Sequence, residues 1–506
     1  MSLVTLIKKL RDIMRKDSGV DGDAQRLNQI VWLIFLKVFD YKEEEAELDD
    51  GYTPVIPEGY RWRDWAVGAS AKDQMTGPEL LDFINNELIP VLSGNAIKDA
   101  NGNMTVIFDS TTDRAMLVKE FMSETVNYMK NGYILRDVVN LFNEVNLEDS
   151  HTSHEFNDMY EDLLKGLQSA GSMGEFYTNK AITSFCIEKI DPQIGGTLAD
   201  WACGTGGFLV DSVEHMRKQV PFGDTEAEKK LQYCVRGGEL KQMAYKLAVT
   251  NLLLHGIELP NVRHGDSLDE KRVTEYCGDD LVEYAALNPP YGGIALESDK
   301  QSFPADIRGS ETADLFVALT IKRLKQNGRA AIVLPDGFLF GNDNAKTNIK
   351  KMLMNECNLH TIIRLPQSCF SPYTSIATNL LFFDKTGKTQ ETWFYRLDMP
   401  ADRKHFSKTK PMQPLHFDPA REWWDNREEI RDEMKEGTTN ETFKAKRFTY
   451  DEIEASGFNL DLCGYPVEEK VILSPEETIN TFIAHRADLE RKMDEQLAEI
   501  KRLLGV

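Results

Sequence analysis

From about Gly171 onward, short apolar segments alternate with amphipathic segments of helical spacing. Strands are predicted at 197–202, 233–237, 262–264, 284–287, 329–334, 359–365 and 378–383, and helices at 208–219, 240–255, 315–326 and 344–356. Such alternation is typical of an α/β fold with a mainly parallel, doubly wound sheet. Because ligands bind beyond the carboxyl ends of the strands in these sheets, the residues that follow each strand are the candidate functional residues.

The turn after the first of these strands is rich in glycine. The sequence there reads Asp200-Trp201-Ala202-Cys203-Gly204-Thr205-Gly206-Gly207 and runs into a predicted helix. Glycines let a backbone approach a ligand closely, and the amides at the start of a helix face that ligand. The Gly-Lys-Ser/Thr ending of a triphosphate-binding loop is absent, which disfavours a nucleoside triphosphate. Alone, a glycine turn also occurs in many α/β proteins for steric reasons.

Acidic residues follow the next two predicted strands. Glu239 comes after Gly237-Gly238, and Asp266-Ser267 comes after Gly265. A carboxylate at the end of the second strand can accept hydrogen bonds from both hydroxyls of a ribose. Asp266 can accept from the amine of an adenine. Taken singly, Glu239 fits a helix cap and Asp266-Ser267 fits a turn without a ligand.

The fourth strand end carries the most distinctive group, Asn288-Pro289-Pro290-Tyr291. The apolar run before it and Gly292-Gly293 after it predict a buried strand that ends in a rigid turn. Asn288 Oδ1 and the Pro289 carbonyl can accept the two N–H groups of an exocyclic amine, while Tyr291 stacks on its ring. Many Asn-Pro turns bind nothing. The prediction of a site therefore rests on the ordered series of a glycine turn, two acids and this amine clamp.

The residues before about 165 predict a mostly helical domain without chemical motifs. Helices are predicted at 2–16, 24–41, 78–92, 112–129 and 154–169. The second is apolar on nearly all sides, which predicts burial among other helices. His151 and His154 have no partner at metal-binding spacing, so surface positions are expected for them. The longest apolar run, Ile30–Phe39, is interrupted by Lys37 and is too short to span a bilayer.

The charge of the chain limits how it can bind nucleic acid. Its 506 residues include 82 acidic and 59 basic side chains, for a net charge of -23. A protein that binds DNA alone usually shows a basic surface. If the substrate is nucleic acid, its contacts must be local, or a basic partner must supply most of the phosphate binding. The seven cysteines are scattered without a CxxC pair, which predicts no zinc site and no disulfides and fits the cytoplasm.

The chain is irregular after Lys385 and is predicted to end in a long helix. Ser474-Pro475-Glu476-Glu477 supplies an N-cap, a proline in the first turn and a capping-box glutamate. Apolar residues then follow at alternating steps of four and three: Leu489, Met493, Leu497, Ile500 and Leu504. This narrow strip is typical of a coiled-coil surface for a partner. A helix folded back on its own domain fits the pattern equally well.

The four strand-end motifs together resemble those of the S-adenosylmethionine-dependent amino-methyltransferases of DNA. Gly174–Thr178 resembles the segment that closes over the methionine end of the cofactor in that family, with Asn179 and Lys180 where the family usually has Pro-Arg. Within the family, the chain is similar to the modification subunits of type I restriction–modification systems. That similarity includes Leu36–Asp40, Glu239–Gly256, the helical front domain and the terminal helix.

The resemblance implies an N6-adenine DNA methyltransferase. The implied domains are an N-terminal all-α domain at 1–165, a Rossmann-like catalytic domain at 166–390, an irregular extension at 391–472 and a C-terminal helix for partner docking at 473–506. Two such chains join one specificity subunit that reads the DNA sequence, and a restriction subunit is a further candidate partner. The implied catalytic residues are Asn288, Pro289, Pro290 and Tyr291, acting on an adenine flipped out of the duplex.

The implied cofactor is S-adenosylmethionine, and no metal is expected. Asp200 and Thr205–Gly207 are expected to face its methionine portion, Glu239 its ribose and Asp266 its adenine. The complete set of implied cofactor-binding residues is Glu175, Phe176, Tyr177, Thr178, Asn179, Lys180, Asp200, Cys203, Gly204, Thr205, Gly206, Gly207, Glu239, Asp266 and Ser267.

Three alternatives stay open at this point. The first is a stand-alone methyltransferase that reads DNA with residues 385–470, where several basic residues occur. The second changes the acceptor, because cytosine N4 and a glutamine amide also present an amine to Asn-Pro-Pro-Tyr. The third is a non-catalytic scaffold that binds a nucleoside, although a pure binder has no need for an amine clamp.

Overall fold

The computed structural model describes residues 3–49, 51–68, 74–98, 102–145, 160, 177–371, 373–407, 409–432, 442–464 and 475–504. They divide into two compact units, residues 1–430 with 444–464, and residues 431–443 with 465–506. Several predicted features lie outside the described residues: the helix at 154–169 except Tyr160, both histidines near it, residues 174–176, and Ser474.

The N-terminal part of the larger unit is helical, as predicted. Its helices are α1 (Leu3–Met14), α2 (Asp23–Ala46), α3 (Trp62–Trp65), α4 (Gly77–Phe83), α5 (Ile89–Leu92), α6 (Asp113–Met122) and α7 (Gly132–Asn143), and a short hairpin joins β1 (Ile97–Lys98) to β2 (Met104–Thr105). A π-helical turn, Ile84–Leu88, links α4 to α5. Helix α7 was not predicted from the sequence.

Helix α2 is buried along most of its length, which confirms the expectation from its apolar sequence. Its one buried lysine, Lys37, donates through Nζ to the carbonyls of Phe142 and Val145, where α7 ends. A cation fits there because the last carbonyls of a helix have no partners of their own. Burial lowers the pKa of Lys37 to about 8.

The rest of the larger unit surrounds a mixed sheet. Its strands are β3 (Leu198–Asp200), β4 (Val235–Glu239), β5 (Val262–His264), β6 (Val282–Leu287), β7 (Leu324–Pro335), β8 (Asn358–Arg364), β9 (Thr378–Asp384), β10 (Glu391–Arg396), β11 (Ile430–Arg431) and β12 (Phe443–Thr449). The order across the sheet is β11-β12-β10-β8-β9-β7-β6-β3-β4-β5. All seven strands predicted from the sequence are present, with shifts of a few residues at their ends.

The five strands β5, β4, β3, β6 and β7 are parallel neighbours, as the strand–helix alternation predicts. Strand β9 differs, because it runs antiparallel between β7 and β8. A parallel neighbour needs a long crossover connection. Only residues 365–377 separate β8 from β9, and no helix is assigned to those of them that the structure describes.

Helices cover the sheet and also connect it to the N-terminal helices. They are α8 (Lys180–Ile190), α9 (Gly207–Arg217), α10 (Thr225–Leu231), α11 (Gln242–Leu254), α12 (Glu297–Gln301), α13 (Thr312–Arg323), α14 (Asp336–Phe340), α15 (Asn344–Glu356), α16 (Asp418–Asp425) and α17 (Tyr450–Ala455). Helix α11 makes the connection: Lys246 Nζ donates to Thr125 Oγ1 at 2.7 Å, and Tyr160 Oη donates to the Leu247 carbonyl at 2.8 Å.

The expectation that residues 391–472 are irregular needs correction. The segment contains β10, α16, β12 and α17, and β10 extends the sheet by pairing parallel to β8. Its tryptophans pack on one another, with the rings of Trp393 and Trp423 5.9 Å apart. Charged residues within and around these elements interrupt the apolar pattern by which strands and helices are recognised in the sequence.

The smaller unit contains the predicted terminal helix, α18 (Pro475–Leu504). Three residues of the predicted apolar strip have described side chains, and all are exposed: Leu489 by 49%, Met493 by 62% and Leu497 by 50%. Among the described helices, α18 included, no segment is long and apolar enough to cross a membrane.

Candidate active site

The chain reverses its direction across the sheet between β3 and β6. From β3 it continues to β4 and β5 on one side, and it then returns to β6 on the other side of β3. A crevice forms at the carboxyl ends of the strands at such a reversal, and it is the usual ligand site of open α/β sheets. The glycine turn, Glu239, Asp266 and Asn288 follow β3, β4, β5 and β6 in that order.

A cavity of about 430 Å³ lies at these strand ends. Nine of the predicted site residues line it: Tyr177, Gly204, Glu239, Asp266, Ser267, Asn288, Pro289, Pro290 and Tyr291. The structure therefore brings both predicted halves, the acidic nucleoside side and the amine clamp, to one space.

The glycine turn has the backbone conformation that its sequence predicts. Gly204 and Gly206 have φ angles of 53° and 83°, a left-handed region that glycine adopts without strain. The Cys203 amide donates to the Gly238 carbonyl at 3.0 Å, and the Gly206 amide donates to the Cys203 carbonyl at 2.8 Å. These bonds attach the turn to β4 and start α9 at Gly207.

Glu239 is buried, and its carboxylate is oriented by two backbone amides. Gly204 N donates to Oε2 at 2.9 Å and Lys241 N donates to Oε1 at 2.7 Å. Burial raises the pKa of Glu239, and these two hydrogen bonds oppose the increase. A carboxylate has about four acceptor positions. Two amides therefore fix its orientation and leave acceptor capacity for a ligand in the cavity.

Asp266 is half-buried on the same wall of the cavity. Its Oδ1 accepts from Leu268 N at 2.8 Å, and burial raises its pKa. The backbone beside it is closely packed, because a Cβ added to Gly238 would lie only 2.4 Å from Ser267 Oγ. A side chain at position 238 would therefore require the Ser267 hydroxyl to move.

The side-chain amide of Asn288 donates one hydrogen bond and accepts another. Its Nδ2 donates to Thr178 Oγ1 at 3.1 Å, and Tyr291 Oη donates to its Oδ1. Burial raises the pKa of Tyr291 well above its usual value, so the phenol stays protonated and remains a donor. Together the contacts fix which end of the amide is the acceptor, and Oδ1 keeps a second lone pair.

Two aromatic residues of this cavity were not predicted. Phe370 and Tyr373 line it from the connection between β8 and β9. The rings of Phe370 and Tyr291 are 6.3 Å apart and nearly perpendicular, at 84°. The sequence contains a signal for them, since the aromatic cluster follows the strand predicted at 359–365. Other lining residues that were not predicted are Trp201, Ala202, Leu240, Lys241, Gly265, Leu268, Gly293, Ile294, Leu296, Asp299, Thr312 and Phe316.

A narrow cleft beside the cavity collects part of the remaining predicted residues. Thr178, Lys180, Thr205 and Gly207 line this cleft, and Tyr177 borders both spaces. Lys180 also lies near acidic side chains, with Nζ 3.4 Å from Glu214 and 3.7 Å from Asp211.

The other predicted cofactor residues are outside the described lining of both spaces. Asp200 is buried and accepts from Ala202 N at 3.0 Å, which shapes the glycine turn, while Cys203 and Gly206 form the turn itself. Asn179 caps α8, with Oδ1 accepting from Ala181 N at 2.8 Å. Glu175 and Phe176 lie outside the described residues. Ligand contact by these residues stays a prediction.

Comparison with known proteins gives two family matches. The model of the N-6 DNA methylase family matches residues 151–471, and that of the HsdM N-terminal domain matches residues 3–142. The chain is 44% identical to the type I restriction enzyme EcoEI methylase subunit of Escherichia coli, over 97% of this chain and 96% of that protein.

Two solved structures share this fold. A modification subunit of a putative type I restriction enzyme from Vibrio vulnificus YJ016 superposes with a TM-score of 0.75 at 36% identity, over 91% of this chain and 95% of that one. A chain from a study of the assembly and conformational transition of the type I R-M system gives 0.77 at 29% identity, over 99% of both.

These matches confirm the family and fold predictions made from the strand-end motifs. The match extends through the helical front part, the sheet and its extension, so the resemblance is not limited to a shared catalytic fold. The chain belongs to the N-6 DNA methylase family and, within it, to the methylase subunits of type I restriction enzymes.

Proposed function

We propose that this chain transfers the methyl group of S-adenosylmethionine to N6 of adenine in DNA. The observation that carries the proposal is the shared cavity. Asn288 and Pro289, which can accept both protons of an amine, line the same space as Glu239 and Asp266. A nucleoside-bearing methyl donor and an amine acceptor therefore have complementary places in one space.

The cofactor half is assigned from the chemistry of its lining. Glu239 has the acceptor capacity for two ribose hydroxyls, and Asp266 suits the amine of the cofactor adenine. The methionine end is assigned to the part of the cavity that Tyr177 and Gly204 line, because the cleft of Thr178, Lys180, Thr205 and Gly207 has a volume of only about 10 Å³. When bound there, S-adenosylmethionine supplies an electrophilic methyl group.

The acceptor half holds the target amine. The N6 lone pair of adenine is delocalised into the ring and is a poor nucleophile. Hydrogen bonds to Asn288 Oδ1 and the Pro289 carbonyl draw N6 toward tetrahedral geometry and fix its direction, which is the contribution that positioning makes to rate. No strong general base is required, because the proton can leave after the methyl group has arrived. Tyr291 stacks on the flipped base.

We propose that the chain works as part of a complex with other subunits. Its relatives include the EcoEI methylase subunit and a chain from a study of complex assembly in the type I R-M system. A net charge of -23 is unfavourable for binding DNA alone, and the exposed apolar strip on α18 offers a partner surface. We propose two copies per specificity subunit, with a restriction subunit as a further partner. We place the complex in the cytoplasm. Residues 473–506 are the proposed docking helix, and the domains before it are divided after residues 165 and 390.

Co-purification from the native cell, followed by a methylation assay with and without the partner, tests the proposal. Mass spectrometry of the digested product identifies the acceptor, and we expect N6-methyladenine. N4-methylcytosine, or a methylated protein amide, would contradict the acceptor assignment. Sequence-specific methylation by the chain alone would contradict the role of the specificity subunit.

The Asn288→Ala variant tests the clamp itself. We expect methyl transfer to be abolished because one of two acceptors for the amine is lost, while S-adenosylmethionine binds nearly as in the wild type. Calorimetry with the cofactor is the control. Normal turnover by this variant would remove the amine-clamping role.

A further inference from the structure

The segment that follows Tyr291 exposes two aliphatic side chains at the cavity. Ile294 is 80% exposed and Leu296 is 64% exposed, while Ala295 between them is buried at 3%. This alternation is typical of an extended segment with one face against the protein. Both exposed side chains line the same cavity as Asn288 and Tyr291. They form an apolar rim, Ile294 and Leu296, at the place where the target base must enter.

The backbone of this rim is fixed by hydrogen bonds. Ala295 N donates to the Ser310 carbonyl at 2.9 Å, and Thr312 N donates to the Gly293 carbonyl at 3.0 Å, so Ile294 and Glu311 form an antiparallel bridge. Leu296 N donates to Asp299 Oδ2 at 2.7 Å. The two side chains are therefore presented to solvent by a segment whose position is set on both sides.

Exposed aliphatic side chains are common on protein surfaces, but this pair is fixed by hydrogen bonds and lines the same cavity as the amine clamp, which points to contact with the substrate that enters there. The ligand that reaches this entrance in the proposed function is duplex DNA with its target adenine turned outward. A flipped base leaves a gap in the stack, and proteins that distort DNA commonly insert Ile, Leu, Phe, Met or Pro between bases.

We propose that Ile294 enters the space in the duplex that the flipped adenine vacates, with Leu296 against the neighbouring base. The inference rests on the proposed function and adds to it a residue that stabilises the extrahelical base without touching the reacting atoms. Ile294 is in this sense a positioning residue. Its contribution is needed only when the target base must be removed from a paired stack.

The test compares two DNA substrates with the co-purified complex. The probe is an oligonucleotide duplex carrying the site at which the native genome is methylated, with the target adenine either paired with thymine or opposite an abasic position. We expect Ile294→Ala to slow methyl transfer to the paired duplex by about 10-fold, because the variant lacks the side chain that replaces the stacking of the flipped base. On the abasic duplex, whose target is already unpaired, the same variant should act within about 2-fold of the wild type.

Three further measurements distinguish a specific role of Ile294 in base flipping from a general effect of removing an exposed side chain. Ile294→Leu keeps an aliphatic wedge and should retain most of the rate. Leu48→Ala removes an exposed aliphatic side chain (86% exposed) and, as a matched control, should change neither rate. With 2-aminopurine at the target position, fluorescence should rise on binding of the wild type and rise less with Ile294→Ala.

Several results would overturn the inference. Equal slowing on both duplexes would show that Ile294 acts on the fold or on the cofactor site, and unchanged rates on both would show that the rim has no role. Loss of the specificity subunit on co-purification of Ile294→Ala would assign the rim to a protein contact. A wild-type complex that methylates neither duplex would overturn the proposed function together with the inference.

Discussion

Replacing Thr178 with valine removes one hydrogen-bond acceptor from beside the amine clamp with little change in size. In the wild type, Thr178 Oγ1 accepts from Asn288 Nδ2 at 3.1 Å and Tyr291 Oη donates to Asn288 Oδ1. The two contacts distinguish the two ends of the amide. Without Thr178 Oγ1, a rotation of the amide that presents Nδ2 to the adenine amine becomes more accessible, and in that orientation two donors face each other.

The magnitude follows from the one bond that is lost. A neutral hydrogen bond contributes about 0.5–1.5 kcal/mol net, and about 1.4 kcal/mol corresponds to a tenfold change in rate. Tyr291 still favours the productive orientation in the variant, so the loss is limited to this range. We expect kcat for methyl transfer to fall about 2- to 12-fold.

The assay is steady-state methyl transfer by the complex, with DNA and S-adenosylmethionine each varied. Thr178→Ser keeps the hydroxyl and is the matched control, with kcat expected near the wild-type value. Thr178 also lines the narrow cleft beside the cavity and directly follows Tyr177, which lines the cavity itself. If Thr178→Val weakens cofactor binding in calorimetry and leaves kcat unchanged, Thr178 contacts the cofactor and the reasoning about Asn288 is refuted. An unchanged kcat with unchanged cofactor affinity would also refute it.

Further predictions concern the cofactor wall and the pH dependence of stability. Glu239→Ala should weaken S-adenosylmethionine binding, and unchanged affinity by calorimetry would show that the ribose assignment is wrong. Gly238→Ala places a Cβ 2.4 Å from Ser267 Oγ, so we expect a loss of about 1–3 kcal/mol in the free energy of unfolding; adding Ser267→Ala should restore part of it, and no restoration would point to another clash. A hydrogen bond with His255 lowers the pKa of Glu214 to about 2. This stabilisation is therefore present above the usual pKa of 4.5 and is lost as the pH falls toward 2. Because the side chain is over a third exposed, Glu214→Gln should cost only about 1 kcal/mol in urea unfolding at pH 7, with the difference from the wild type shrinking at pH 3; a difference independent of pH would contradict this.

The sequence alone predicted the site residues that directly follow the parallel strands. Parallel strands end at a common edge, so the residues after β3, β4, β5 and β6 had to be neighbours once the strands were located. Glycines and prolines mark those strand ends clearly, and the four motifs were found without knowledge of the fold. The outcome is the shared cavity of Glu239, Asp266 and Asn288.

What the sequence could not predict depends on contacts between distant segments. Thr178 and Asn288 are 110 positions apart, and their hydrogen bond follows from how α8 is placed beside the end of β6. Phe370 and Tyr373 follow the strand predicted at 359–365, but their place in the cavity depends on where the connection from β8 to the antiparallel β9 runs. Periodicity carries no information on such placements. The strands β10 and β12 within 391–472 were missed for a local reason, since charged residues interrupt their apolar pattern, as in Phe443–Thr449.

Helix α11 joins the N-terminal helices to the wall of the cavity that contains Glu239. The helix begins next to Lys241, whose amide orients Glu239, and its side is bonded to Thr125 and Tyr160 of the N-terminal part. A helix of 13 residues is about 20 Å long and stiff, so a displacement of the N-terminal helices that carried α11 with it would also move the carboxylate that is assigned to the ribose. Such a coupling is reciprocal. If binding of a partner changes the affinity of the chain for the cofactor by some factor, binding of the cofactor changes the affinity of the chain for the partner by the same factor. Assembly and cofactor loading are then two measurements of one coupling free energy.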